Sequence, residues 1–345
     1  MASKTLAVKY RPQTWDDVVE QESTKIILQQ QLESGEVKHA YLFCGSAGTG
    51  KTTCARIFAN EINKGKGHPI EMDAASNSGV DDVRNIIQQA KTLSLDSEYK
   101  VFIIDECHSI SSTGWQAFLK LIEEPPTRSI FIFCTTDPQK IPKTILSRVQ
   151  RYDFQRISNN GIFDRLMYIL KCEDIPQLQG NDLVEAVEYI VKIADGGMRD
   201  AISLMDKCLA YSSYLTLENV VTALGTVDYD IFMKFVDSLC CYSVKDAIKI
   251  VEDLYNAGKD LKQFVKQFTR FILDIAKYKT GCDWKYLMIP KLDLYIKWVD
   301  SIDFDGQLFN ILDTFIRLDS NIKYSVSVKY EIEAAILMEF SLREL

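Results

Sequence analysis

The sequence predicts an α/β domain built on a parallel sheet, followed by a chain that is helical to its end. Two observations support this. Over the first half, short apolar runs rich in β-forming residues alternate with segments of helical periodicity, which is the pattern of strands covered by helices on both faces. After about residue 158 the alternation stops and helical periodicity alone continues. The length of 345 residues also predicts more than one domain.

The apolar runs locate the individual elements. Five strands are predicted, at 40–44, 70–74, 101–104, 130–134 and 151–154. Helices are predicted at 24–32 with Ser23 as N-cap, from 53 to 60, from the polar segment 76–79 to residue 90, and at 114–124. Later helices are expected at 162–170, 183–194, 199–210 and 220–224, with a loop at 177–181, and the chain from 228 onward is expected to be helical. Domain boundaries are predicted to give 1–157, 158–224 and 225–345.

The segment Gly45-Ser46-Ala47-Gly48-Thr49-Gly50-Lys51-Thr52 carries the strongest chemical signal. It fits G-x-x-x-x-G-K-[ST], the phosphate-binding loop of nucleotide hydrolases. Its glycines let backbone N–H groups point at phosphate oxygens, Lys51 adds a charge for the β- and γ-phosphates, and Thr52 offers a hydroxyl to Mg²⁺. A predicted strand precedes the loop and a predicted helix follows it. A chance match is therefore a poor alternative, and ATP with Mg²⁺ is expected here.

Asp105 and Glu106 directly follow the apolar run 101–104. Carboxylates at the C-terminal end of a buried parallel strand lie where α/β sheets bind ligands. Asp105 is expected to hold Mg²⁺ through water, and Glu106 to orient and polarise the attacking water. The pair alone is a weak signal, but it lies about fifty residues after a phosphate loop, and that position makes it specific.

Three further polar residues each have two interpretations. Thr136 follows the strand at 130–134, where its hydroxyl could contact a γ-phosphate or simply form an ST-turn. Arg148 ends a short helix and is either a solvated charge or an arginine finger that acts on phosphoryl transfer. Arg199 begins a helix, from which it could reach a neighbouring nucleotide or pair with a flanking aspartate.

Two stretches of the sequence have both a binding interpretation and an ordinary structural one. The lead-in that contains Tyr10-Arg11-Pro12 could pack on an adenine or form a surface arm. The polar segment Ser76-Asn77-Ser78-Gly79, with Arg84 one turn into the next helix, could take a nucleic-acid phosphate or merely cap that helix.

Composition limits the classes of function. The formal net charge of −8 means that any nucleic-acid contact would need a local patch or a few aimed groups. Nine cysteines without a C-x-x-C pair, and three scattered histidines, argue against a disulfide scaffold and a zinc site and favour a reducing compartment. No apolar run approaches the ~18 residues of a membrane span, and the first twelve residues lack an apolar signal core, so a cytoplasmic location is expected.

Nine segments of the chain form one recognisable set: 9–14 (KYRPQT), 17–21 (DVVEQ), 39–43 (HAYLF), 71–76 (EMDAAS), 121–126 (LIEEPP), 135–142 (TTDPQKIP), 144–148 (TILSR), 196–201 (GGMRDA) and 224–228 (LGTVD). Together with the motifs above, this set resembles the bacterial DNA polymerase III gamma/tau family. The resemblance is specific and nearly continuous over about residues 6–230, and only architectural beyond them.

The resemblance implies an AAA+ ATPase of the clamp loader. It implies an ATP-binding core with a parallel five-stranded sheet in 1–157, a helical lid domain in 158–224 and an all-helical collar domain in 225–345. Subunits of this family form a spiral pentamer, with several copies of one chain expected. The pentamer opens a ring-shaped sliding clamp and closes it on primer-template DNA.

It also implies roles for individual residues. Asp105 and Glu106 are the metal-linked acid and the catalytic glutamate, Thr136 is the first sensor, Arg199 is the second sensor, and Arg148 acts in trans on a neighbour's ATP. Thr52 and Asp105 are the implied Mg²⁺ ligands. The implied DNA-binding residues are Ser76, Asn77, Ser78 and Arg84. The nucleotide-binding positions are Tyr10, Arg11, Pro12, Val18, Val19, Gly45, Ser46, Ala47, Gly48, Thr49, Gly50, Lys51, Thr52 and Thr53.

The chain departs from the family pattern in four places. Only the short loop 64–68 stands where the family carries a four-cysteine zinc module, so no structural zinc is expected. The family's Ser-Arg-Cys is Ser147-Arg148-Val149 here, which keeps the arginine. The segment 76–79 is less basic than is usual at the family's DNA-facing helix start. The chain ends at Leu345, near the expected end of the collar, which predicts a gamma-like form without the long tau tail.

The leading hypothesis is therefore an ATP-hydrolysing motor subunit of a clamp loader. One alternative is a structural subunit of the same complex that binds nucleotide only as a switch. The intact phosphate-loop lysine and Asp-Glu pair disfavour it. Another is a different DNA-acting AAA+ ATPase, such as a branch-migration helicase. The Glu-Glu-Pro-Pro and Thr-Thr-Asp-Pro segments argue against that alternative.

Overall fold

The chain folds as two compact units in a computed structural model. The structure describes residues 5–94, 96–173, 175, 182–224, 229–241, 243–283, 286–287, 293–301, 307–322, 325 and 327–341. One unit lies within 1–175 and 190–206, and the other within 176–189 and 207–345. The expected loop at 177–181 and residues 225–228 of the family resemblance lie outside the described residues. The division into 1–157, 158–224 and 225–345 stays a prediction.

The first unit is built on a parallel sheet of five strands in the order β2-β3-β4-β1-β5. The strands are β1 (Ala40–Cys44), β2 (Ile70–Asp73), β3 (Lys100–Asp105), β4 (Ser129–Thr135) and β5 (Gln150–Asp153). The predicted strands are thus confirmed, and every boundary agrees to within one residue. Because all strands are parallel, their C-terminal ends lie at one edge of the sheet.

Helices make up the remaining regular structure, and the predicted change to an all-helical chain after residue 158 is confirmed within the described ranges. In the first part of the chain they are α1 (Leu6–Lys9), α2 (Glu22–Ser34), α3 (Lys51–Ile62), α4 (Val80–Ala90), α5 (Ser112–Glu123), α6 (Lys143–Leu146) and α7 (Asn159–Cys172). They continue as α8 (Asp182–Ala194), α9 (Met198–Tyr211), α10 (Leu217–Leu224), α11 (Tyr229–Cys240), α12 (Val244–Asn256), α13 (Leu261–Lys279), α14 (Asp293–Ser301), α15 (Gln307–Asn321) and α16 (Val328–Ser341). None of the described helices is both long enough and apolar enough to span a bilayer.

Helices α3, α5, α7 and α10 begin two or three residues before their predicted starts. The starts of α2 and α4 are accompanied by hydrogen bonds that the prediction did not include. Helix α2 begins after Gln21, not Ser23, and Gln21 has φ +59°. Its amide exchanges two hydrogen bonds with the backbone of Gln155, of 2.7 and 3.2 Å. Helix α4 begins at Val80 with Gly79 as its N-cap, and the hydroxyl of Ser76 donates to the carboxylate of Asp73, at 3.1 Å.

The sheet is buried on both of its faces. Tyr41 and Phe43 of β1 point to the side covered by α2 and α3, where Phe58 packs. Ala40, Leu42 and Cys44 point to the other side, against α4 and α5, where Phe118 packs. This double burial explains why the strands are continuous apolar runs in the sequence.

The second unit has an aromatic core of its own. Phe232, Phe235, Phe264, Phe268 and Phe315 are all fully buried. They come from α11, α13 and α15, and the ring centroids of Phe268 and Phe315 are 4.7 Å apart in an edge-on arrangement. Aromatic pairs of this kind add about 0.5–1.5 kcal/mol each to the area that they bury. The apolar faces of α11, α13 and α15 therefore form core.

Candidate nucleotide-binding site

The phosphate loop joins β1 to α3 at the C-terminal edge of the sheet. Gly48 has φ +73°, a conformation that L side chains rarely adopt. Gly45 passes so close to β5 that a Cβ at this position would lie 2.5 Å from the carbonyl oxygen of Phe154. Helix α3 begins at Lys51, so its N-terminal N–H groups open towards the loop. The glycine spacing of the motif thus has a steric cause in this fold.

Lys51 is held inside the loop that it follows. Only 6% of the residue is exposed, and its ammonium donates to the carbonyl oxygens of Gly45, at 2.8 Å, and Ser46, at 2.7 Å. Burial lowers the pKa of Lys51, while Glu106 and Asp105 act in the opposite direction. The ammonium therefore lies within the phosphate-binding loop, where phosphate oxygens could replace the two carbonyl oxygens as its acceptors.

Thr52 and Asp105 form a pair of hard oxygen donors. The hydroxyl of Thr52 donates to Oδ2 of Asp105, at 2.8 Å, and the backbone N–H of Glu106 donates to Oδ1, at 3.0 Å. Asp105 is the last residue of β3 and Thr52 lies in the first turn of α3. A hydroxyl and a carboxylate facing each other beside a phosphate loop fit Mg²⁺, which prefers a few such ligands together with phosphate oxygens.

Glu106 is fixed by the end of the neighbouring strand β4. The hydroxyl of Thr136 donates to its Oε2, at 3.1 Å. Nδ1 of His108 lies 3.3 Å from the same oxygen and 3.2 Å from Oγ1 of Thr135. The backbone of Glu106 has φ +46°, which turns the chain sharply after β3. The sequence analysis predicted no role in this site for His108 or Thr135, although His108 lies only two residues beyond the carboxylate pair.

A cavity of about 380 Å³ lies beside these groups, within the range of small-molecule sites. It brings the predicted phosphate-binding and adenine-side segments together. Predicted residues that line it are Tyr10, Arg11, Pro12, Val18, Val19, Ala47, Gly48, Thr49, Gly50, Lys51, Thr52, Thr53, Asp105, Glu106 and Arg199. Gly45 and Ser46 do not line the cavity, and their carbonyls accept from Lys51.

The lead-in segment is attached to α7 and, through the N–H of Leu6 that donates to the carboxylate of Asp206 at 3.1 Å, to α9. The guanidinium of Arg165 donates to the backbone carbonyl of Tyr10, at 3.1 Å. Glu173 accepts from the ammonium of Lys9, at 2.6 Å, and from the hydroxyl of Tyr10. Burial, followed by Glu173, raises the pKa of Tyr10 well above its usual value. Arg165 also lines the cavity and was not predicted, because its contact joins segments that are far apart in sequence.

The start of α9 lies against the phosphate loop. The N–H of Met198 donates to the carbonyl of Gly48, at 3.0 Å, and a Cβ added at Gly48 would lie 3.0 Å from Gly197. Arg199 faces the cavity, and its guanidinium has no hydrogen bond or ion pair with any residue that the structure describes. Asp195 pairs with Arg156 instead. Of the two interpretations of Arg199, the geometry favours the nucleotide-facing one.

Arg148 and the predicted DNA-facing residues lie away from the cavity. The guanidinium of Arg148 pairs with Glu123, at 2.8 Å, and donates to the carbonyl of Thr144, also at 2.8 Å. Arg84 pairs with Asp81, at 3.0 Å, on the exposed side of α4. Ser76, Asn77 and Ser78 are exposed as well.

Comparison with protein families identifies two parts of the chain. Residues 68–158 match the family described as DNA polymerase III, delta subunit. Residues 161–214 match the family described as DNA polymerase III clamp loader subunit, ATPase lid domain. The second match includes α7, which contributes Arg165, and the start of α9, which contributes Arg199.

Curated relatives extend the match over most of the chain. The DNA polymerase III subunit tau of Bacillus subtilis is 38% identical over 303 residues, which cover 81% of this chain and 53% of that protein. The gamma/tau subunit of Mycobacterium tuberculosis is 33% identical over 293 residues, covering 77% of this chain and 50% of the relative. The chain thus spans about half the length of the curated relatives it matches.

Solved structures agree on the fold. RuvB of Thermotoga maritima, titled a Holliday junction branch migration motor, has a TM-score of 0.52 and 19% identity, covering 67% of this chain and 79% of that one. At such identity the likeness concerns the fold alone, an AAA+ arrangement of parallel sheet and helices. The sequence matches confirm the predicted resemblance: over most of its length the chain is similar to subunits of the DNA polymerase III gamma/tau family.

Proposed function

We propose that this protein is an ATP-hydrolysing motor subunit of a DNA polymerase clamp loader, which opens a sliding clamp and loads it onto primer-template DNA. The observation that carries the proposal is the convergence of Lys51, Thr52, Asp105, Glu106 and Thr136 beside one cavity, in a chain similar to subunits of the gamma/tau family. A subunit that used nucleotide only as a switch would have no need for Glu106 and its partner on β4.

Binding of the triphosphate follows from the loop geometry. Backbone N–H groups at the N-terminus of α3 donate to phosphate oxygens. The ammonium of Lys51 exchanges two loop carbonyls for oxygens of the β- and γ-phosphates, which are better acceptors because they are charged. Tyr10, Arg11, Pro12, Val18 and Val19 would line the adenine side.

The chemistry is assigned to the end of β3. Thr52 and Asp105 would hold Mg²⁺, which when bound neutralises charge on the β- and γ-phosphate oxygens. Glu106 orients the attacking water and takes up its proton. Thr136 contacts Glu106, so it can couple the state of the γ-phosphate to the position of this carboxylate.

The site is completed by a neighbouring subunit. Arg148 lies outside its own chain's cavity, so its guanidinium would act on the ATP of the next subunit in a ring or spiral pentamer. Arg199 would contact phosphate from within the same chain. Ser76, Asn77, Ser78 and Arg84 would contact the DNA backbone, which makes recognition depend on shape and phosphates instead of base edges.

ATP turnover of the reconstituted clamp loader, measured with and without sliding clamp and primed DNA, tests the proposal. Wild-type protein should show turnover that clamp and DNA stimulate together. Glu106→Gln should still bind ATP and retain the clamp, while turnover falls by about 10²-fold, within the range expected for loss of a general base. Undiminished turnover in Glu106→Gln would contradict the mechanism. Strand unwinding without any clamp would contradict the function, and no observation favours that activity, since the likeness to RuvB is one of fold.

A further inference from the structure

Two adjacent residues at the end of β4 are both linked to Glu106. Thr136 reaches Oε2 of Glu106 directly, at 3.1 Å. Thr135 is linked through the imidazole of His108, whose Nδ1 lies 3.2 Å from Oγ1 of Thr135 and 3.3 Å from the same Oε2. One carboxylate oxygen thus receives both connections.

His108 is well placed to hold this oxygen. It lies on the 3₁₀ turn Cys107–Ser109, directly after Glu106, and 19% of its side chain is exposed. Thr135 is fully buried, and its hydroxyl oxygen accepts from the N–H of Asp137, at 3.0 Å. Thr135 is therefore a fixed neighbour of the same ring nitrogen that faces Glu106.

The position of the hydrogen on Nδ1 follows from electrostatics. If Nδ1 carried a lone pair, it could accept from the hydroxyl of Thr135, but the lone pair would also face a carboxylate oxygen 3.3 Å away, which is repulsive. If Nδ1 carries the hydrogen, Oε2 of Glu106 and Oγ1 of Thr135 are its two possible acceptors, and the carboxylate is preferred because hydrogen bonds to charged acceptors are about twice as strong as neutral ones. The tautomer with hydrogen on Nδ1 is therefore favoured while Glu106 keeps this orientation.

We propose that His108 is a positioning residue for Glu106. Its Nδ1–H keeps Oε2 turned towards β4, so that Oε1 is left to accept the proton of the attacking water. The inference rests on the proposed role of Glu106 in ATP hydrolysis and adds a residue to that site. The turn after β3 then contributes both the base and the group that orients it.

Asparagine and glutamine can distinguish this role from simple packing. The side-chain nitrogen of asparagine is as many bonds from Cα as Nδ1 of histidine is. The nitrogen of glutamine matches Nε2 instead. His108→Asn can therefore keep a donor near Oε2 of Glu106, whereas His108→Gln moves the donor away and His108→Ala removes it.

The experiment compares these variants in the clamp loader assembled with clamp and primed DNA. Single-turnover ATP hydrolysis and the affinity for a fluorescent ATP analogue are measured for each. His108→Gln and His108→Ala should lower the hydrolysis rate about tenfold, as expected for one hydrogen bond to a charged group. His108→Asn should retain most of the rate. Analogue affinity should stay within about twofold of wild type, because His108 holds the carboxylate and not the phosphates.

Further measurements separate the possible failures. In a Glu106→Gln background the histidine changes should have no additional effect, since the carboxylate that they position is gone. Equal losses in His108→Asn and His108→Gln, or a parallel loss of analogue affinity, would overturn the positioning role. If His108→Ala does not fold, as judged by its thermal melt, the asparagine–glutamine pair decides. If Glu106→Gln alone leaves the rate unchanged, the proposed function itself fails.

Discussion

Lys51 and Arg148 are two cations proposed to act on a triphosphate, but the chain holds them in opposite ways. Lys51 is buried in the phosphate loop and donates to two loop carbonyls. The side chain of Arg148 is 39% exposed and pairs with Glu123 on the surface. The first cation lines the cavity of its own chain, while the second does not. The difference is in keeping with the proposal that one chain carries most of one site and contributes Arg148 to another.

The two environments also predict different energetics. Release of Lys51 from its carbonyls leaves buried acceptors without partners, which costs about 1–3 kcal/mol unless phosphate takes the ammonium. An exposed ion pair such as Arg148–Glu123 is worth only about 0–1 kcal/mol. Arg148 can therefore exchange partners readily. We expect Lys51 to control nucleotide affinity and Arg148 to control turnover.

The largest expected effect is that of Arg148→Ala on ATP turnover in the assembled clamp loader. Arginine fingers contribute about 10³–10⁵ to the rate of phosphoryl transfer where they act. Turnover should fall by a factor of that order, while the ATP affinity of the isolated chain, measured by equilibrium titration, stays unchanged because Arg148 lies outside the cavity of its own chain.

Arg151→Ala is the matched control for this substitution. Arg151 is also a half-exposed arginine with a carboxylate partner, Asp153, and it does not line the cavity. Its removal should leave turnover near wild type. Normal turnover in Arg148→Ala would refute the trans role and would leave the contrast between the two cations without a functional meaning.

Lys51→Ala should have the next largest effect, and on affinity instead of rate. The substitution removes charge-assisted hydrogen bonds to phosphate, each worth about 1.5–3 kcal/mol, so the dissociation constant for ATP should rise about 10–100-fold. The full chain without partners suffices for this titration. Lys91→Ala, which changes an exposed lysine at the end of α4, is the control. Unchanged affinity in Lys51→Ala would mean that the ammonium does not leave its loop carbonyls.

The sequence predicted the parts of this molecule whose causes are local. The strands were found because both faces of the sheet are buried and each strand is therefore a continuous apolar run. The loop 45–52 was predicted because its glycines occupy positions where a side chain would clash, as the close approach of Gly45 to Phe154 illustrates. Asp105 and Glu106 were found because strand ends collect functional groups in parallel sheets.

Other parts depend on contacts between distant segments, which no periodicity records. Arg165 reaches the backbone of Tyr10 from α7, and Gln21 is fixed by the backbone of Gln155. Arg199 had two possible partners in the sequence, and only the fold shows it facing the cavity. The position of His108 beside Glu106 could not be predicted, because it depends on β3 and β4 being neighbours. His108 follows β3, whereas its contact Thr135 ends β4.

The smallest expected effect concerns the restraint on Arg148. Glu123→Gln keeps an oxygen acceptor for the guanidinium, so the orientation of Arg148 should persist. It removes the negative charge that competes with the neighbour's phosphate. Because the exposed pair is worth at most about 1 kcal/mol, turnover of the assembled complex should rise, by no more than about fivefold.

Glu124→Gln provides the comparison for this change. Glu124 is the exposed next residue, and its carboxylate forms no ion pair within the described part of the chain. It should leave turnover unaltered, and Glu123→Gln should have no effect once Arg148 is alanine. A fall in turnover with Glu123→Gln would mean that the carboxylate aims the guanidinium instead of restraining it. The surface cation would then resemble Lys51 after all, as a group fixed in advance by its own chain.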